Sequence, residues 1–428
     1  MAVGSLEGAQ ASVQGEAQDS YVLPMVLMVS LYFSIGFITA LNDILIPHFK
    51  DLFHLTNFLA LLVQFCFFGA YFVMSLPSGW IVGRIGYKAG IVAALATMGC
   101  GLLGFVPASM AISYPLFLFA LFVVGSGLAL LQVAINPYVG ALGRPETASS
   151  RLNLCGGLNS LATTIAPKLG AAFIFIAAGA TTAELAHSVR APYMLLAGFT
   201  FLLAIVTLFV RLPELIEKRP EGAAGDGSAL QFVHLRLGAV AIFSYVGAEV
   251  AIGSIMISFL GQRSMGGLSH AAAAAYVSFY WLGAMIGRFI GSFALMYIRA
   301  QRALMVVAML AFVQVATTIL GHGHVAMWAI VSCGLFNSVM WPCIFPLSVK
   351  GLGRFTSQGS GILITMVVGG AIIPEIQGLL ADRFGYQHSF VIVLLCYAYL
   401  VYFAVSGYRI RQPRFPSLPD YVPPVESV

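Results

Sequence analysis

A few ionisable side chains interrupt long apolar runs, and they mark where this chain could do chemistry. Asp43 lies near the end of the run from Tyr21 to Phe49, and Lys168 follows Ala166 and Pro167 in another. Glu249 follows Tyr245, Val246, Gly247 and Ala248, and Arg288 follows the stretch from Trp281 to Gly287. A lone charge at the centre of a bilayer costs about 2.5–3.5 kcal/mol on insertion scales, so each of these needs a water-filled cavity or a partner. A sequestered carboxylate such as Asp43 is a candidate carrier of a proton, and a cation beside it favours the ionised form instead. Lys168 is that candidate cation. An Asp43–Lys168 pair and a lysine snorkelling to the lipid headgroups are both open. Glu249 and Arg288 read as a structural salt bridge or gate, and Glu375, after Pro374, as a rim residue. Neutral amides also break the apolar runs: Asn42, Gln64, Gln132, Asn136, Asn159, Asn337 and Gln377. Each amide both donates and accepts hydrogen bonds. Tyr280, Trp281, Phe336 and Trp341 offer flat apolar faces at similar depth, or simply pack.

The elements that must hold these groups are membrane helices. Sixty per cent of the 428 residues are hydrophobic, 9% are charged, and the mean hydropathy is +0.93. A soluble domain of this size needs far more polar surface. Runs of the length needed to cross a bilayer are expected at 22–48, 57–83, 88–107, 112–142, 152–180, 191–212, 236–260, 272–297, 302–320, 325–349, 358–381 and 387–407. The expected fold is therefore all-α, with twelve transmembrane helices. The first 20 residues lack a basic segment followed by a short apolar core and cleavage site, so no cleaved signal peptide is expected. The net charge of +5 is spread over short loops with no basic stripe, which argues against nucleic acid. The six cysteines sit inside apolar runs at neither zinc nor disulfide spacing, and no resident metal or cofactor is expected.

Lys and Arg bias sets the expected orientation. With the N-terminus cytoplasmic, fifteen basic residues fall on inner segments and four, Lys50, Arg190, Arg263 and Arg383, on outer ones. This asymmetry predicts both termini in the cytoplasm. The longest polar stretch follows the sixth run, dividing the chain into an N-terminal tail (1–20), a six-helix bundle (21–212), a cytoplasmic linker (213–235), a second six-helix bundle (236–407) and a C-terminal tail (408–428).

Two internal echoes support duplication. Ala141-Leu142-Gly143-Arg144, at the inner end of the fourth run, is matched by Gly351-Leu352-Gly353-Arg354 at the inner end of the tenth. The stretch Gly79 to Lys88, between runs two and three, is matched by Gly378 to Gln387, between runs eleven and twelve and on the opposite membrane face. That is the pattern of an inverted repeat nested inside each half. Arg84, Asp382 and Arg383 in these turns are expected to support gates rather than bind substrate.

The whole chain resembles the major facilitator superfamily, in particular its sugar:cation symporter branch, which holds the L-fucose:proton symporters and bacterial glucose/galactose transporters. The resemblance rests on Leu41-Asn42-Asp43-Ile44-Leu45-Ile46-Pro47, Gln132-Val133-Ala134-Ile135-Asn136-Pro137-Tyr138, Pro145 to Leu154 and Ile344-Phe345-Pro346. It implies a bacterial inner-membrane carrier that works by alternating access, driven by a proton or sodium gradient. It also implies that Asn42 and Asp43 form the branch's Asn-Asp pair, whose aspartate couples protons and binds sugar. Gln132 stands where the fucose symporters have a second essential glutamate, and an amide cannot shuttle a proton near neutral pH. That tilts the expected substrate from fucose toward glucose or galactose. The amides suit sugar hydroxyls, which also donate and accept. Expected sugar contacts are Asn42, Asp43, Gln64, Gln132, Asn136, Asn159, Trp281 and Asn337, while Gly156 removes a glutamine side chain found in the fucose symporters. Coupling is assigned to Asp43 and Lys168, protons being favoured over sodium because no oxygen-rich cage is evident. An uncoupled facilitator, a fucose symporter and a non-transporting sugar sensor remain alternatives. A membrane enzyme is disfavoured by the lack of a nucleophile motif or metal-spaced cluster. The chain is expected to act as a monomer.

Overall fold

The computed structural model describes residues 12–13, 21–55, 57–174, 181–213, 215–216 and 228–410. The side chains of Asn42, Asp43, Gln64 and Lys168 lie outside the described ones, as do most of the two expected tails and much of the expected linker.

Long apolar sequences with no water to bond must close their backbone hydrogen bonds internally, and the chain does this as helices. In order they are α1 (Val22–Phe53), α2 (Asn57–Ile85), α3 (Tyr87–Leu103), α4 (Tyr114–Ala141), α5 (Ala148–Ile174), α6 (Arg190–Phe209), α7 (Val233–Gly261), α8 (His270–Tyr297), α9 (Ala300–Leu320), α10 (Gly323–Asn337), α11 (Met340–Val349), α12 (Thr356–Thr365), α13 (Gly369–Phe384) and α14 (Val391–Tyr402). Short helical turns extend several of these. Among the described residues a single pair of strands, Ser12–Val13 with Leu215–Ile216, is two residues long. Ten of the described helices are long and apolar enough to cross a membrane, or eleven when the bent pair α10 and α11 counts as one span. At 1.5 Å per residue the 29 residues of α7 reach about 43 Å, more than the ~30 Å hydrocarbon core. The first helix runs five residues beyond its expected end, and α7 starts at Val233, inside the expected linker.

Breaks within spans have local causes. The 41° bend between α10 and α11 falls just before Pro342, which lacks the N–H that a continuous helix would direct at Ser338. A 3-10 turn at Met366–Val368 separates α12 from α13. Gly369 follows that turn, and the absence of a side chain there lets α13 lie against the Phe243 carbonyl of α7.

The duplicated sequence turns have duplicated shapes. Gly86 and Gly385 adopt left-handed backbones with nearly equal angles, φ 83°, ψ 166° and φ 84°, ψ 157°. Two residues after each, a polar side chain caps a neighbouring helix. Lys88 Nζ donates to the Leu208 and Val210 carbonyls, each at 2.9 Å, at the end of α6. Gln387 Nε2 donates to the carbonyls of Thr318 (3.1 Å), Ile319 (3.0 Å) and Gly321 (2.7 Å) at the end of α9. These carbonyls have no partner inside their own helices. Arg84 and Asp382–Arg383 are exposed in the same turns, with the Arg84 guanidinium 3.9 Å from the centre of the Trp80 ring. In the other echo, Gly143 and Gly353 also have positive φ, 115° and 52°. Beside the first, Arg151 donates to the Val139 and Gly140 carbonyls at the end of α4, at 3.0 and 2.6 Å.

Helices before residue 213 meet those after 228 along two seams. Gly79 of α2 faces the Ser357 carbonyl of α12, and Gly361 faces the Ser75 carbonyl. A Cβ at these glycines would stand 2.8 and 2.6 Å from those oxygens, so only glycine permits the approach. On the other seam Ser150 of α5 donates to the Ser292 carbonyl of α8 at 2.5 Å, and Asn153 to the Arg288 carbonyl at 2.6 Å. Both seams lie toward the ends of these helices that carry Arg84, Arg144, Arg299 and Arg354.

The caps generate a stability prediction. Gln387→Leu leaves three carbonyls without their donor and is expected to destabilise the protein by about 1–3 kcal/mol. Lys88→Leu should do the same at α6. The two caps share no residue and no helix, so thermal unfolding of the double variant in detergent should show additive losses.

Candidate functional site

Helices from both parts of the chain surround a cavity of about 260 Å³. The first part contributes one face of α1 (Tyr32, Ile35, Gly36 and Thr39), Phe67 and Tyr71 of α2, Gln132 and Asn136 of α4, and Gly156, Asn159 and Thr163 of α5. The α1 and α5 positions recur at three- and four-residue intervals, the spacing of one helix face. From the second part come Tyr245, Val246 and Glu249 of α7, Arg288 of α8, Trp341 and Pro342 of α11, and Val367 from the 3-10 turn.

The polar lining is linked. Tyr32 donates its hydroxyl to Asn136 Oδ1. Asn136 Nδ2 donates to the Gln132 carbonyl at 2.8 Å, and Gln132 Nε2 to the Tyr71 hydroxyl at 3.0 Å. Asn159 Nδ2 donates to the Tyr32 carbonyl at 2.9 Å, where Gly36 lets α1 come against α5. The chain of bonds fixes α1, α2, α4 and α5 around one wall. Gln132 and Asn159 are only part-buried, so their amides can also serve a ligand. Across the cavity, the Arg288 guanidinium donates to the Ser160 hydroxyl of α5 and lies 3.9 Å from Glu249 Oε1. Trp341 supplies a flat apolar surface and stacks on Phe345 with ring centres 6.0 Å apart.

A second cavity of about 490 Å³ lies on the basic side, with Glu146, Arg299 and Lys350 in its wall. Asn136 and Leu152 line both cavities and form the partition between them.

Of the residues singled out in the sequence, Gln132, Asn136, Asn159, Glu249, Arg288 and Trp341 meet at the central cavity. Asn337 and Trp281 do not line it. Asn337 is fully buried, donating to the Tyr280 hydroxyl at 2.8 Å and accepting from Tyr397 at 2.7 Å. Trp281 is 45% exposed, two turns from Arg288 on the same face of α8, against Gly253 of α7. The roles expected for Asn42, Asp43, Gln64 and Lys168 fall on side chains outside the described ones. Composition and spacing did not single out Tyr32, Tyr71, Tyr245, Thr39, Ser160 or Thr163. A signal for some of them exists: Tyr32, Gly36 and Thr39 repeat at helical spacing within an otherwise apolar run, and Tyr245 precedes Glu249 by one turn.

A bundle of membrane-crossing helices whose two parts enclose a polar, partitioned cavity defines a multi-span membrane transporter. The profile of the Major Facilitator Superfamily matches residues 28–374. A glucose/galactose transporter of Brucella abortus is 49% identical over 395 residues, covering 91% of this chain and 95% of that one. An L-fucose-proton symporter of Escherichia coli is 31% identical over 408 residues, covering 90% and 93%. The crystal structure of a Major Facilitator Superfamily transporter in the outward conformation superposes with a TM-score of 0.83 at 30% identity, covering 91% of this chain and 99% of that one. This chain belongs to the major facilitator superfamily, in the sugar:cation symporter branch that includes the fucose and glucose/galactose transporters.

The hydrogen-bonded wall is open to test. Tyr32→Phe removes the donor to Asn136 Oδ1, and the loss is expected to cost about 1–3 kcal/mol for a buried acceptor left unmet. Adding Asn136→Leu to Tyr32→Phe should recover part of that loss, a non-additive result measured by thermal unfolding of the two single variants and the double.

Proposed function

We propose that this protein carries a hexose, glucose or galactose, with a proton across the bacterial inner membrane by alternating access to the central cavity. The observation that carries the reading is the cavity wall itself. The amides of Gln132 and Asn159, held by Tyr71 and Tyr32, face Trp341 across a space of sugar size. Amides match hydroxyls that both donate and accept, and an indole face suits the apolar side of a pyranose ring. The 49% identity to a Brucella glucose/galactose transporter supports the choice of substrate.

In this reading α5 joins the eleven candidate spans to make twelve. Its 27 residues reach about 40 Å, and its polar residues lower its hydropathy without shortening it. The twelve form bundles at 21–212 and 236–407, joined by the cytoplasmic linker 213–235, with tails 1–20 and 408–428 also cytoplasmic. The seams at Gly79–Ser357 and Ser150–Ser292 then close the cytoplasmic side, so this is the outward-facing state. Its similarity to an outward transporter structure supports that assignment.

Asp43 is the proposed coupling carboxylate, one helical turn beyond Thr39 on α1. From the contact of Gly36 with Asn159, Asp43 is seven residues on and Lys168 nine. The two helices run in the same direction, so these residues differ in height by only about 3 Å. That supports Lys168 as its partner. If the lysine replaces the coupling cation outright, transport becomes facilitated diffusion.

Proteoliposomes distinguish these readings. Labelled D-glucose or D-galactose should enter in preference to L-fucose and accumulate under an inward proton gradient; uptake of fucose alone would overturn the substrate assignment. Asp43→Asn should exchange sugar without accumulating it. Lys168→Gln should make exchange more dependent on pH, and Asp43→Asn with Lys168→Gln should restore more exchange than either change alone.

A further inference from the structure

Glu249 and Arg288 are placed for more than a structural bridge. Among the described residues lining the central cavity, Glu249 is the one carboxylate and Arg288 the one cation. Their separation of 3.9 Å is too long for a hydrogen bond. Glu249 Oε1 is buried and has no hydrogen-bond partner, whereas buried carboxylate oxygens ordinarily have donors. The guanidinium instead donates to Ser160 on α5, in the opposite half, and the carbonyl of the same arginine accepts from Asn153, also on α5. Arg288 thus stands at the seam between the halves, with a carboxylate on one side and a hydroxyl on the other. The backbone of Glu249 is anchored, since its carbonyl accepts from Tyr280 at 3.2 Å and Tyr280 is bonded to Asn337 and through it to Tyr397. The side chain has no such anchor at Oε1.

From this placement we infer that Glu249 takes up a transported proton in the second half, and that Arg288 links that proton to sugar binding. The inference rests on the proton-coupled reading above. Ionised Glu249 draws the guanidinium to itself. A proton from the outer water, bound at the carboxylate, removes that attraction. Arg288 then has donors for Ser160 and for sugar hydroxyls. Loss of the proton to the cytoplasm draws the guanidinium back and weakens the hold on sugar. Proton and sugar therefore bind cooperatively, and the coupling is reciprocal. The groups facing Glu249 are Arg288 and Tyr280 from α8, Tyr245 from its own helix and Tyr397 from α14, with the Cys333 thiol of α10 beside the Tyr280 and Tyr397 hydroxyls. Arg288 is the permanent charge in the group.

The test is sugar affinity against pH for the full-length protein in detergent, measured by calorimetry with D-glucose and D-galactose. Wild-type affinity should weaken by about tenfold or more from mildly acidic to mildly alkaline pH. Glu249→Gln, neutral throughout, should bind at every pH with the affinity the wild type shows in acid. In proteoliposomes it should exchange sugar but not accumulate it. Glu249→Asp should restore a pH-dependent affinity with a displaced midpoint, and it carries the test if the glutamine variant does not fold. A wild type with pH-dependent binding and accumulation, matched in both by Glu249→Gln, overturns this inference alone; so does an aspartate variant with an unmoved midpoint. A wild type that shows neither property overturns the proton-coupled reading, and the inference with it.

Discussion

A polar group at membrane depth has no water to turn to, and the rest of this structure follows from how the protein answers each one. The backbone is answered first, by helices; their ends are answered next. Lys88 and Gln387 close the carbonyl ends of α6 and α9, and Arg151 closes that of α4. Among the described residues, much of what remains polar after this is gathered at one place. The central cavity is where amides, tyrosine hydroxyls and an ion pair converge, and those groups hold one another in position while leaving some capacity unmet. A transporter needs that balance. A fully satisfied cavity would bind nothing, and an unsatisfied one would not be stable in lipid.

The two halves meet through small residues for the same reason. Lipid gives helices no hydrophobic reason to associate, so close approach must come from packing and backbone contact. Gly79 and Gly361 provide it on one seam, and Ser150 and Asn153 on the other. Such contacts are short-range and numerous without being individually strong. A seam made this way can part as a unit and re-form at the other end of the cavity, which large interlocked side chains would resist. The 3-10 turn beside the cavity and the bend before Pro342 are where single spans can flex.

Much of the fold was legible in the sequence because its rules are one-dimensional. Apolar length gives spans, and repeated turns give symmetry. The echo of Gly79–Lys88 in Gly378–Gln387 was visible as letters, and its meaning, two matched helix caps, depended on which helix end each side chain reaches. The exact number of spans was less accessible, since α5 is rich in polar residues and a 41° bend separates α10 from α11. At the site, charge and amide type picked out Gln132, Asn136, Asn159, Glu249 and Arg288. The same rule picked Asn337, which serves two buried tyrosines. An isolated polar letter cannot tell a cavity from a sealed network, because both satisfy the same hydrogen-bonding demand. Tyr32 and Tyr71 escaped notice for the converse reason: a tyrosine in an apolar run reads as packing until its hydroxyl is seen to hold an amide.

The described cavity also divides its labour between the halves. Among the described side chains its first wall is neutral, built of amides and hydroxyls already bonded to each other, and so suited to recognise shape with little reorganisation. Its second wall carries the charge, at Glu249 and Arg288. Recognition by neutral groups depends weakly on pH, whereas a carboxylate facing a guanidinium changes its interaction completely when it gains a proton. On the proposed reading a sugar bridges these opposite walls, so the ligand itself spans the surfaces that move. Ser160 makes the division consequential. Its hydroxyl belongs to the neutral half, yet it holds the cation of the charged half. On the proposed reading, a change of charge at Glu249 is therefore felt directly as a change in contact between the two walls, with no longer pathway required.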